Sequence, residues 1–135
     1  MGNLGIWYPV IRETGEIEIV QAEGVADLIS IMGLKDAEHI GRRFRDGSTV
    51  HMLADIDGMG CDQKINRLAG YILDEPAIFG PAAIIQVGKD GGEVYGFDSI
   101  TEADTMAKFF AERSGARAWI EKRRRRVGRK KMSSE

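Results

Sequence analysis

Two aspartates close an apolar run: Val50-His51-Met52-Leu53-Ala54 leads into Asp55-Ile56-Asp57-Gly58. Two carboxylates on one strand-end loop can converge on a Mg²⁺ ion. One can then attack phosphorus while the other moves a proton. The same residues suit a plain strand-ending turn, because the Gly of Asp-Gly accepts the positive φ of a tight reversal. We read Asp55 and Asp57 first as turn residues. Second, they are candidates for a small Mg²⁺-dependent phosphotransferase or hydrolase. An EF-hand is excluded, since the spaced Asp ligands and the terminal Glu are missing.

The other reactive side chains are His39, His51 and Cys61. A Cys–His catalytic pair would need one histidine to meet Cys61 in space. Two histidines twelve positions apart and one cysteine fit no standard zinc spacing. No metal and no cofactor are therefore expected. His51 falls mid-strand, on a half-wet sheet face. Gly58-Met59-Gly60 and the segment from Gly88 to Gly92 match no phosphate-cradling glycine motif and read as turns.

Charge is the strongest signal. The 135-residue chain nets −2, yet residues 1–112 carry nine Lys and Arg against nineteen Asp and Glu, while residues 113–135 carry ten against two. The basic segment contains Lys122, Arg123, Arg124, Arg125, Arg126, Arg129, Lys130 and Lys131. Such a run attracts phosphate backbones through counterion release, largely without regard to sequence. Arginine adds bidentate phosphate contacts. No aromatic follows Trp119, so base stacking is not the expected mode. Two other readings stand beside nucleic acid: docking on the acidic body, in cis or in a second copy, and a solvated tail. A smaller cluster, Arg42-Arg43-Phe44-Arg45, reads as a solvated connection pairing with Asp36, Glu38 and Asp46, or as an extension of a phosphate-binding face.

The elements that must position these groups follow from periodicity. Ile6 to Ile11, a turn at Arg12-Glu13-Thr14-Gly15, and the alternating Glu16-Ile17-Glu18-Ile19-Val20 make a hairpin. Ala26 to Met32 is a helix with Gly33 as its C-cap. Asp36 to Arg43 is a short helix or an irregular connection. Ser48 to Ala54 is a strand. Gln63 to Leu73 is a helix with Asp62 as a candidate N-cap. Pro76 and Pro81 bracket a break, and Ala82 to Val87 is a buried central strand. Lys89-Asp90-Gly91-Gly92 turns it into Glu93 to Phe97. A last helix starts at Ser99 or Thr101, shows Ala103, Met106, Ala107, Phe110 and Ala111 on its apolar face, and ends or kinks at Ser114-Gly115. Ala116 to Arg126 can continue as helix.

This is an α+β domain: a mixed or mainly antiparallel sheet of five to six short strands, packed by two to three helices. Residues 1–113 form the domain, and 114–135 form a C-terminal helix and basic tail. The single cysteine and the lack of a secretory leader or a long apolar run point to the cytoplasm, with no membrane contact.

Several segments line up with one pattern: Val50 to Gly58, then Lys64-Ile65-Asn66-Arg67-Leu68-Ala69, then Ile78-Phe79-Gly80-Pro81-Ala82-Ala83-Ile84-Ile85, then the Gly-rich hairpin and Phe97. The pattern resembles a family of small phage- and plasmid-borne accessory proteins catalogued as a domain of unknown function, over roughly residues 8–110. The resemblance implies an α+β fold and a mobile-element setting, and it brings no activity or site residue. The leading expectation is a non-enzymatic accessory protein whose basic tail engages nucleic acid or an acidic surface. The alternatives are the Asp55/Asp57 enzyme and a protein-interaction module, or homo-oligomer, acting through the acidic body.

Overall fold

A computed structural model describes residues 5–34, 37–56, 64–75, 78–89 and 91–115. Strands β1 (Trp7–Ile11) and β2 (Ile17–Gln21) form the expected hairpin, with Ile11 opposite Ile17 and Trp7 opposite Gln21. The Arg12 amide donates to the Glu16 carbonyl at 2.8 Å, and Gly15 turns the chain with φ 91°. Helix α1 (Val25–Met32) ends on Gly33 in the left-handed region, φ 73°. β3 (Glu38–Arg43) and β4 (Thr49–Asp55) follow as a second hairpin. Then come α2 (Arg67–Leu73), β5 (Phe79–Val87), β6 (Val94–Tyr95) and α3 (Ile100–Arg113). The α+β class is as expected, with a six-stranded sheet in the order β2-β1-β5-β4-β3 and β6 paired to β5. Every strand pair is antiparallel.

The sheet has a core on each face. On one side α2 and α3 bury Leu68, Ile72, Ala103, Ala107 and Phe110 against Ile11, Val50, Met52, Ala82 and Ile84. On the other, Leu28 and Met32 of α1 meet Tyr8, Val10, Leu53, Ala83 and Ile85. Alternate residues of β4 and β5 thus serve opposite cores, which is why Ala82 to Val87 reads as a continuous apolar run. None of the described helices is long and apolar enough to cross a membrane.

Three expectations are corrected. Asp36 to Arg43 is not a helix or an irregular connection, since its residues from Glu38 onward form edge strand β3. Only Ile40 packs on a core, so local periodicity is faint and pairing with β4 fixes the conformation. Helix α2 begins at Arg67, capped by Asn66, whereas the expected cap Asp62 lies outside the described residues. Pro81 does not mark a break but lies inside β5. Leu53 pairs Ala83 while Asp55 pairs Phe79, so one β4 residue opposes three of β5. Gly80, at φ 70°, and Pro81 fall in this bulge, where a missing N–H costs no ladder bond.

Asn66 joins the layers. Its side-chain amide donates to the carbonyls of Ile11 and Gly80, both at 2.8 Å, and its oxygen accepts from the Ala69 amide at 3.0 Å. Its own N–H donates to the Ile78 carbonyl at 2.7 Å. The residue is 1% exposed, so water cannot replace these partners. Asn66→Ala removes the side-chain partner of two buried carbonyls and of one helix N–H, and is expected to cost about 2–4 kcal/mol. Asn66→Asp sets a carboxylate against both carbonyls and is expected to be worse at pH 7 than at pH 4. Urea unfolding midpoints at the two pH values check both outcomes.

Candidate functional site

Four of the six described arginines gather at one corner. β3 ends at Arg43, and the turn to β4 carries Phe44, Arg45 and Asp46. Asp46 accepts from the Ser48 hydroxyl at 2.6 Å and from its amide at 3.0 Å. These hydrogen bonds, with a smaller contribution from Arg113, hold its carboxyl below the usual carboxylate range. Arg113, at the last position of α3, meets Asp46 through Nε at 2.9 Å and lies 4.9 Å over the Phe109 ring. Arg42 reaches the other way. It donates to the carbonyls of Ile72, at 2.9 Å, and Tyr71, at 3.3 Å, and lies 4.6 Å over the Phe44 ring. It thereby caps the C-terminal end of α2, where carbonyls without helical partners favour a cation.

Arg42, Arg43, Arg45 and Arg113 line one shallow concavity of about 360 Å³ with Phe44 and Asp46. Four arginines and one aspartate line it, on a body that is otherwise acidic. Glu112 lines the adjoining cleft beside Phe109. Asp46 does pair with an arginine, as the sequence suggested, but its partner is Arg113 at the far end of the chain. Arg42 is likewise not solvated along its length, being spent on helix capping and ring stacking. Arg43, Arg45 and Arg113 are the exposed members.

The described chain leaves this corner at Ser114 and Gly115. Gly115 has φ 79° and lies beside Tyr71, which is 45% exposed. Lys122, Arg123, Arg124, Arg125, Arg126, Arg129, Lys130 and Lys131 all follow this point and lie outside the described residues.

Of the two carboxylates of the enzyme reading, only Asp55 lies among the described residues. Asp55 is the last residue of β4, opposite Phe79, and only 5% exposed. Asp57 lies outside the described residues, as does Cys61. Among the described residues no three His, Cys, Asp or Glu side chains group as a metal cage.

The histidines come together instead. His51 is half-buried on β4 opposite Gly41, and His39 lies two residues earlier on β3. His39 Nε2 and His51 Nδ1 are 2.8 Å apart, with ring centroids at 4.9 Å. One nitrogen must donate and the other accept, so the pair carries at most one charge while this bond persists. Partial burial, and then the charge on His39, lower the pKa of His51. Sequence separation hid the pair, because only the β3–β4 register makes these positions diagonal neighbours.

For His51 the folded state favours the neutral ring. Its contribution to stability is present above the unfolded value of about 6.5 and is lost as pH falls through the lowered folded value. These two histidines are the chain's only side chains that ordinarily titrate between pH 5 and 8. The urea midpoint is therefore expected to fall between pH 8 and pH 5.5, and His51→Gln should flatten that fall.

Compared with known proteins, the chain matches no family model, no curated protein and no solved structure, so its function is read from the geometry of its own residues.

Proposed function

We propose that this protein is a non-enzymatic nucleic-acid-binding accessory module. In this reading it acts in the cytoplasm, in the mobile-element setting that the sequence resemblance implies. Its C-terminal basic segment follows the phosphate backbone, and the arginine corner of the body extends that track. One observation carries the reading. Arg43, Arg45 and Arg113 gather where the chain passes into residues 116–135, while the rest of the body is acidic. An acidic body that repels phosphate and a single basic corner together give a defined docking orientation. Affinity should come from counterion release and change little with base sequence.

The test is fluorescence anisotropy with arbitrary duplex and single-stranded DNA across a NaCl series. Replacing the Lys and Arg residues of 122–131 by Gln is expected to remove most of the affinity. Arg43→Gln with Arg45→Gln, in an otherwise unchanged chain, should weaken binding and reduce the salt slope on duplex by about 1.8, or about 0.9 per lost phosphate contact. Absence of binding at low salt, or identical affinity and slope in all three proteins, refutes the proposal.

A further inference from the structure

The face of β3 opposite Ile40 and Arg42 carries His39 and Gly41, which meet His51 there. By strand alternation this is the face toward α1, since Leu53 and Ile85, which neighbour His51, belong to the α1 core. The buried residues of α1 pack on β1, β4 and β5 and leave His39 and Gly41 exposed on the edge strand.

We propose that His39 and His51 form an open, two-imidazole binding site for a late first-row divalent metal ion, best suited to Cu²⁺ and Ni²⁺. Imidazole nitrogens bind such ions at about 2.0–2.1 Å. Two nitrogens 2.8 Å apart then subtend an angle of about 85–90° at the metal. That is the cis angle of square-planar and octahedral complexes. A tetrahedral zinc site would need the nitrogens about 3.4 Å apart. Nitrogen donors in cis positions are the preference of Cu²⁺ and Ni²⁺, and these ions head the affinity order for such ligands. Mg²⁺ and Ca²⁺ seek oxygen and are excluded.

Gly41 is an independent sign. Glycine weakens a strand interior, and the φ of Gly41 is not positive, so the backbone does not require it. A Cβ at this position would lie 3.2 Å from His51 Nδ1, the very atom that turns toward His39. The glycine keeps that nitrogen open. With two protein donors, the remaining coordination positions fall to water or to a side chain of a partner.

In the neutral pair the shared hydrogen passes to the outer nitrogen of the ring that held it, a change of tautomer; only a protonated pair releases a proton, and no redox step is involved. The experiment uses the full chain carrying Cys61→Ser, because the thiolate would compete for soft ions. Cu²⁺ is titrated and followed by electron paramagnetic resonance. The expected result is one ion per chain with superhyperfine coupling to two nitrogens. His39→Gln and His51→Gln should each weaken binding by about tenfold or more and leave one coupled nitrogen. Gly41→Val should weaken it with both histidines retained. In the histidine-intact protein, paramagnetic broadening of amide signals should centre on residues 39–41 and 51–53, which requires no variant to fold. Binding unaffected by both histidine variants, broadening centred elsewhere, or no binding up to millimolar Cu²⁺ would overturn the proposal.

Discussion

The fold depends on the saturation of one buried amide. Asn66 has two donor hydrogens and a side-chain acceptor, and a separate part of the structure claims each. Ile11 ends the β1 ladder opposite Ala82, and its carbonyl also takes the Asn66 amide. Gly80 turns its carbonyl out of the β5 ladder at the bulge. The seven-residue α2 starts with N–H groups that no helical carbonyl can reach. One side chain bonds at all three places. The buried polar group therefore specifies which strand end meets which helix start, where apolar contacts alone would tolerate a slide.

Glycine settles the other end of the sheet. There β1 and β5 splay, and the chain after β6 fills the gap. Trp7 and Phe97 exchange amide hydrogen bonds at 3.1 and 2.7 Å, and the Gly96 amide donates to the Gly5 carbonyl at 2.8 Å. A Cβ on Gly96 would stand 2.6 Å from the Trp7 carbonyl oxygen and 3.0 Å from the Tyr8 ring. Gln86 donates to the Gly96 carbonyl at 2.9 Å and ties the same strip to β5. Backbones approach more closely than any side chain would allow, and so a two-residue β6 suffices to close the sheet.

Legibility in the sequence followed the range of the interactions. The alternation of Glu16 to Val20, the Gly33 cap, the glycine turn before Glu93 and the Ser99 cap of α3 are local devices, and each reads directly from neighbouring residues. Strand β3 does not. Its Glu-His-Ile-Gly-Arg-Arg composition carries no clear period, and only its partner makes it a strand. The cap at Asn66 was hidden for a related reason: its purpose lies at Ile11 and Gly80, 55 and 14 positions away. At the candidate site the basic composition was plain. That Arg113 would return to the β3–β4 turn, that Arg42 would serve α2, and that two histidines would touch all required the tertiary register.

The strand order bears on synthesis of the chain. The β1–β2 and β3–β4 hairpins are each complete once residue 55 has been made, yet neither pairs with the other. Among the described residues β5 is the only bridge between them, and it begins at Phe79. On the ribosome, the first half of the protein is thus two ribbons with an unfilled slot, each showing an unpaired inner edge. Such edges invite mispairing. Arrival of the apolar strand from Phe79 to Val87 fuses the ribbons and supplies the Gly80 carbonyl to Asn66. Cooperative stability therefore comes late, after the middle of the sheet has been inserted between strands made earlier.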